Sequence, residues 1–267
     1  MRERALEIVA SRPPAVDGTN LLREYVQSRI LGQLQEAGAY VPLAFMGGTA
    51  LRFLYRIPRF SEDLDFALER DVSTFEFRGL VERLERGLAR EGYALSVTLN
   101  DAAVVARARI GFVGLMAEAG LSPHRDQVLS VRLEVDTDPP AGAGLSVTTI
   151  NRFGLMRLQH HDMPSLFAGK IAAVLAREYT KGRDLYDLMW HLSREPHLEP
   201  NPGLLRNALL QTAPDLAVSV QRDWREALRD RLAFVDWDDA RRDLAPFLEQ
   251  SRDIALIEAD TFTQLIG

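Results

Sequence analysis

The chain has 267 residues, 46% of them hydrophobic, which is enough to build a core without covalent help. It has no cysteine, which excludes disulfides, thiolate zinc sites and cysteine nucleophiles, and its net charge of -6 excludes binding polyanions through the whole surface. Five histidines are too few and too scattered for a histidine metal cage.

The N-terminus, MRERALEIVASRPP, is charged where a secretory h-region would be apolar. No apolar run approaches the roughly 20 residues that span a bilayer, so the expectation is a soluble, cytoplasmic protein with no membrane partner. Residues 19–38 then read as a helix, because Leu22, Tyr25, Ile30 and Leu34 recur at helical spacing. Thr19 or Asn20 is its expected N-cap and Gly38 its stop. VPLAFM is a short strand broken by Gly47-Gly48, and TALRFLYRI is a helix ended by Pro58. EDLDFALE alternates as a strand, and TFEFRGLVERLERGLAREG is an amphipathic helix.

YALSVTLN, AVVARARIGFV, QVLSVRLEVDTD and GLSVTTI alternate with period two or are rich in β-branched residues, separated by turns such as DPPAGAG. From Pro164 the pattern turns helical: SLFAGKIAAVLAREYT, GRDLYDLMWHLSR and, beyond the breaker EPHLEPNPG, several more helices. The expected class is α/β (α+β), with a mixed sheet flanked by helices. Residues 1–160 form that core with an N-terminal helix, and 161–267 form a helical C-terminal domain closing the active-site cleft.

The chemistry starts at PRFSEDLDF, residues 58–66. In a strand, side chains at i and i+2 share a face, so Asp63 and Asp65 project together while Leu64 and Phe66 turn to the core. Such a pair suits two Mg²⁺ ions roughly 4 Å apart, the device for in-line nucleotidyl displacement. Solvated charge is the bland alternative, since 38 acids in 267 positions make acid-x-acid spacing common. The order of elements favours the clamp: a strand runs into Gly47-Gly48, whose bare backbone admits phosphates. A helix N-terminus follows, and the next strand carries both acids. In VRLEVD, Arg132, Glu134 and Asp136 share one face, so Glu134 is the candidate third ligand and Asp136 the reserve.

GGTALRFLYRIPRFSEDLDF, residues 47–66, resembles the first motif of the AbiEii/AbiGii toxin family of polymerase-β-type nucleotidyltransferases (MenT-like toxins), including Arg59, Ser61, Asp63 and Asp65. GKIAAVLAREYTKGRDLYDL, residues 169–188, is similar to its downstream motifs. The resemblance covers roughly residues 40–195 and leaves the C-terminal quarter unmatched. It implies an Mg²⁺-dependent transfer of NMP from an NTP to an acceptor, expected to be the tRNA 3′ end, by the toxin of a toxin-antitoxin system with a cognate antitoxin. Gly47, Gly48 and Thr49 would cradle phosphates, with Arg59, Ser61 and Arg183 as further nucleotide contacts. Lys170 would neutralise triphosphate charge and Asp184 would orient or deprotonate the acceptor. A protein hydroxyl or small molecule as acceptor, and a non-catalytic nucleotide-binding module, are the alternatives.

The residues themselves give partial support. Lys170 and Lys181 are the only lysines among 32 basic residues, and a compact ammonium does what a guanidinium fork cannot; coincidence under an Arg-favouring coding bias is the other explanation. Asp184 and Asp187 stand at i, i+3 on a helix, and Asp187 is expected on the surface. Arg52 and Arg56 are either phosphate contacts or solvated helix charges. His160-His161-Asp162 lacks ligand spacing, and Trp190, Trp224 and Trp237 read as packing residues. Residues 203–267 carry 8 Arg against 12 acids, so they form no overall basic clamp.

Overall fold

The computed structural model describes residues 1–70, 73–194 and 198–267. The breaker at 195–203 therefore begins outside the described residues. The described chain runs α1 (Arg2–Ala10), α2 (Gly18–Glu36), β1 (Leu43–Met46), α3 (Gly47–Tyr55), β2 (Leu64–Leu68) and α4 (Phe77–Arg90). It continues through β3 (Leu95–Asn100), β4 (Val105–Phe112), α5 (Leu115–Glu118), β5 (Leu129–Asp136), β6 (Leu145–Asn151) and β7 (Leu155–His161). Helices α6 (Met163–Ala176), α7 (Gly182–Arg194), α8 (Pro202–Thr212), α9 (Leu216–Leu232), α10 (Trp237–Leu244) and α11 (Ala259–Ile266) follow. The chain divides into two compact units. One comprises Met1–Tyr55, Phe60–Asp138 and Val147–His160, and the other Arg56–Arg59, Pro139–Ser146 and His161–Gly267.

In the first unit, seven strands among the described residues form one mixed sheet in the order β3-β4-β5-β2-β1-β7-β6. β2 pairs parallel with β5 and antiparallel with β1, while β4 pairs antiparallel with both β3 and β5. Period-two alternation decides which face is covered. Leu64, Phe66, Val131, Leu133 and Val135 are fully buried, and Phe45 stacks on Phe66 with ring centroids 5.0 Å apart. Burying side chains of this size stabilises the fold by about 1.5–3 kcal/mol each. α2 packs on α4 and β5, and α4 packs on β3. Ser96, Thr98, Asn100, Arg107, Arg109 and Arg132, at the alternate positions, are exposed.

Three elements, α1, the single-turn α5 and β7, escaped the sequence reading. α1 was hidden by its charge, yet it buries Ala5 and Val9 one turn apart. β7, of sequence LMRLQHH, carries polar residues on buried positions, so no period-two signal marks it, although it pairs parallel with β1. The cap of α2 also differs from expectation. Asp17, not Thr19 or Asn20, caps it, accepting from the Asn20 N–H at 2.7 Å.

The second unit is helical. α6 packs against α7, α8 and α9, and α7 against α10 and α11. Asp162 caps α6 by accepting from Ser165 N–H at 2.9 Å, with Pro164 in the first turn. A Cβ on Gly182 would lie 1.8 Å from the carbonyl oxygen of Ala240, so glycine lets α7 begin against the α10 backbone. Trp224 packs edge-on against Phe167 at 5.4 Å and donates to Glu199 at 2.9 Å, and Trp237 lies on Phe262 at 5.5 Å. These are packing roles, as the sequence implied.

Candidate active site

Because Leu64 and Phe66 are buried on one face of β2, Asp65 and the preceding Asp63 turn to the other. The parallel pairing places Asp65 directly opposite Glu134, and Asp136 two residues further along beside Ala67. Paired residues share a face, so the register itself sets Glu134 beside Asp65. Burial pushes the Asp136 carboxyl up from its ordinary value, which makes it a poorer anion.

The loop leading into β2 is held from two sides. Buried Gln27 on α2 donates through its side-chain amide to the carbonyls of Ser61 at 3.0 Å and Glu62 at 2.9 Å. Thr49 donates its hydroxyl to the carbonyl of Asp63. Ser61 itself is half-buried. Gly47, at φ +75°, turns the chain from β1 into α3, and a Cβ there would come within 2.4 Å of Asp65 Oδ2. The first turn of α3, with Gly48 and Thr49 buried, therefore starts against a site carboxylate. Unpaired N–H groups of a helix start favour anions, so phosphate and carboxylate-bound cation can meet here.

Two guanidiniums face these acids. Arg132 grips Asp63 bidentately, Nε to Oδ1 at 2.8 Å and Nη2 to Oδ2 at 2.6 Å, and Arg107 lies 3.3 Å from Glu134. Among the described residues no three His, Asp or Glu side chains are gathered closely enough to enclose a cation. The donor set nonetheless suits Mg²⁺ chemically: Asp63, Asp65 and Glu134 offer hard carboxylate oxygens from one sheet face, with a Cβ-free backbone beside them.

Gln27 was missed because one glutamine on a helix reads as surface; its place among Leu22, Val26, Ile30 and Leu31, all buried, is the signal that could have found it. Arg52 is neither a solvated charge nor open to ligand. It is buried, donates to Glu24 at 2.8 and 3.1 Å, and lies over the Phe60 ring at 4.6 Å. Arg152 joins the same Glu24. His160 bonds Thr148 at 2.9 Å, and both it and His161 are buried on β7.

The second unit gathers its own charges. Lys170 Nζ on α6 lies 3.0 Å from Asp184 Oδ1 and 2.7 Å from Asp187 Oδ2, so the i, i+3 spacing on α7 does bring both carboxylates to one lysine. Arg177 also pairs with Asp184. Arg59 belongs to this unit and donates from Nε to Asp187 at 2.6 Å. Asp187 was expected at the surface; it is fully buried, because two cations compensate the cost of burying it. Burial by itself would raise its carboxyl, but Arg59 and Lys170 outweigh that and hold it below the usual range. Arg183 lies over Phe247 at 4.3 Å and 3.6 Å from Asp243. His191, one turn beyond Asp187, stacks on Phe167 at 4.9 Å, and burial lowers its pKa to about 4.

A mixed sheet that sets an Asp-x-Asp strand between a Gly-Gly helix start and a glutamate strand is the frame of a nucleotidyltransferase. The family model for the nucleotidyl transferase AbiEii toxin of type IV toxin-antitoxin systems matches residues 29–264, and the chain belongs to that family. It is thus a nucleotidyltransferase of a toxin family, and the match takes in the C-terminal helices that the sequence reading left unmatched. Three solved structures share the fold. A candidate nucleotidyltransferase from Helicobacter pylori has a TM-score of 0.57 at 20% identity, covering 94% of this chain and 96% of its own. JHP933 from Helicobacter pylori gives 0.52 at 20% identity, covering 94% and 93%. MenT4, a nucleotidyltransferase toxin from Mycobacterium tuberculosis, gives 0.53 at 20% identity, covering 99% of both chains. No curated protein sequence matches. Among the described residues no helix is long and apolar enough to cross a membrane.

Proposed function

We propose that the chain transfers NMP from an NTP to the 3′ end of a tRNA in the cytoplasm, blocking aminoacylation, under the control of a cognate antitoxin. The observation that carries the chemistry is the register of Asp65 with Glu134, on the face where Asp63 emerges and against which α3 begins. Asp63, Asp65 and Glu134 would hold Mg²⁺, which when bound supplies charge for the triphosphate and acidity for the attacking hydroxyl. Gly47, Gly48 and Thr49 bind phosphate through the N–H groups of the α3 start, with Ser61 as a neighbouring hydroxyl. Gln27 and Thr49 fix the backbone that aims Asp63. The roles that family membership suggests for Lys170 and Arg183, as partners of phosphate charge, and for Asp184, as the acceptor-side carboxylate, belong to the same proposal. Arg59 is tied to Asp187, which supports a part in holding Lys170 rather than direct phosphate contact.

Incubating the protein with each α-labelled NTP, Mg²⁺ and either total tRNA or cell lysate tests this. Label in a nuclease-sensitive band of tRNA size is the expected result. Label that resists nuclease and yields to protease overturns the tRNA acceptor, and no transfer to either, with every NTP, overturns the catalytic reading.

A further inference from the structure

Three arginines outside the roles assigned above lie on the exposed face of β4 and β5. Arg107 and Arg109 alternate along β4, and Arg132 on β5 stands directly opposite Arg109. Like charges opposite each other on neighbouring strands repel, so fold stability gives no reason for this pair. Two of the three are engaged by carboxylates of the candidate site: Arg132 by Asp63 through both oxygens, and Arg107 by Glu134. Arg109 donates to the Ser130 hydroxyl at 3.1 Å. The Arg132 and Arg107 side chains are 55% and 53% exposed, so both can swing away without opening the core.

Arg132 also sits in the field of Glu134 and Glu62, beyond its contact with Asp63. It is therefore the local counter-charge of an acidic rim. A divalent cation carries twice that charge and needs the same oxygens, and an exposed ion pair is weak enough to yield them.

We propose that Arg132 and Arg107 are counter-ions that a divalent cation displaces from Asp63 and Glu134, and that the released guanidiniums, with Arg109, then hold phosphates of the nucleic-acid or nucleotide substrate. Cation loading thereby turns a neutralised sheet face into an anion-binding one. Guanidinium forks match phosphate oxygens in pairs, which suits the task. The inference rests on the reading that the three acids take divalent cations.

The test is Mn²⁺ binding to the full chain, followed by electron paramagnetic resonance in the absence of nucleotide. Arg132→Ala should bind Mn²⁺ about two- to fivefold more tightly than the wild type, the effect of removing one exposed competing pair. Arg132→Lys should fall between them, and Arg107→Ala should show a smaller gain. Arg109→Ala releases no carboxylate, so it should leave Mn²⁺ affinity unchanged and raise the KM for NTP. Unchanged or weaker Mn²⁺ binding by Arg132→Ala overturns the counter-ion role. If instead Asp63→Ala and Asp65→Ala bind Mn²⁺ as the wild type does, the underlying reading of the acids fails; loss of binding in those variants without tightening in Arg132→Ala sinks only the displacement step.

Discussion

Asp63 with Arg132 and Asp187 with Arg59 are both bidentate carboxylate-guanidinium pairs, one in each unit. The first pair has side chains 24% and 55% exposed, the second 0% and 2%. Geometry alike, the consequences oppose. An exposed pair contributes on the order of 1 kcal/mol or less, so a ligand of higher charge can replace a partner. A buried pair fixes its members, because removing one leaves an uncompensated charge in the interior. The sheet face of the first unit is thus fit for exchange and the helical interior of the second for permanence.

The largest expected effect breaks the comparison on the exchangeable side. Asp63→Ala or Asp65→Ala should lower nucleotidyl transfer by about 10³-fold in single-turnover labelling, as loss of a main electrostatic element does. Urea unfolding of these variants should stay within about 0.5 kcal/mol of the wild type, since the groups are not core. Retained activity would move the chemistry off the sheet. On the permanent side, Asp187→Ala should lose about 3–5 kcal/mol of stability in the same unfolding measurement. A loss under 1 kcal/mol would mean that Arg59 and Lys170 find other partners.

A pH series sharpens the contrast. Buried His191 has its pKa depressed from 6.5 to about 4, so between those values the unfolded chain binds a proton that the folded chain refuses. Stability then falls as pH drops through that window, by about 3 kcal/mol in total. His191→Phe should flatten this limb in unfolding curves taken from pH 7 to 4. The Asp187 carboxyl, depressed in the folded state, contributes in a lower window: its stabilisation is complete above the ordinary carboxylate pKa and is lost as pH falls through the folded value. The smallest change is Gly47→Ala. The left-handed backbone and the contact with Asp65 should together cost about 1–2 kcal/mol of stability, with a visible loss of activity because Asp65 is pushed aside.

The sheet acids were legible because period two is a local rule. Once Leu64 and Phe66 go inward, Asp63 and Asp65 have one place to go, and Glu134 follows from the same rule on β5. Helix α7 was legible in full, from GRDLYDL onward, since its apolar stripe and its glycine start agree. What escaped depends on partners distant in sequence. Arg59 and Asp187 are 128 positions apart, and nothing near either announces the other. Glu24 and Gln27 look like ordinary helix-surface residues until Arg52, Arg152 and the Ser61 carbonyl arrive to satisfy them. β7 pairs with β1 although β2 to β6 come between them in the chain, and its histidines mask a buried strand behind polar letters.

The four residues Arg56–Arg59 leave one unit for the other between α3 and β2. On the ribosome this means that Arg59 is made long before its carboxylate exists. At about 5–20 residues per second the nascent chain waits roughly 6–25 s for Asp187 to be added. Neither half can be produced intact by cutting the gene at one point. A fragment beginning at residue 161 would carry Asp187 without its guanidinium, and the complementary piece would carry a stranded arginine.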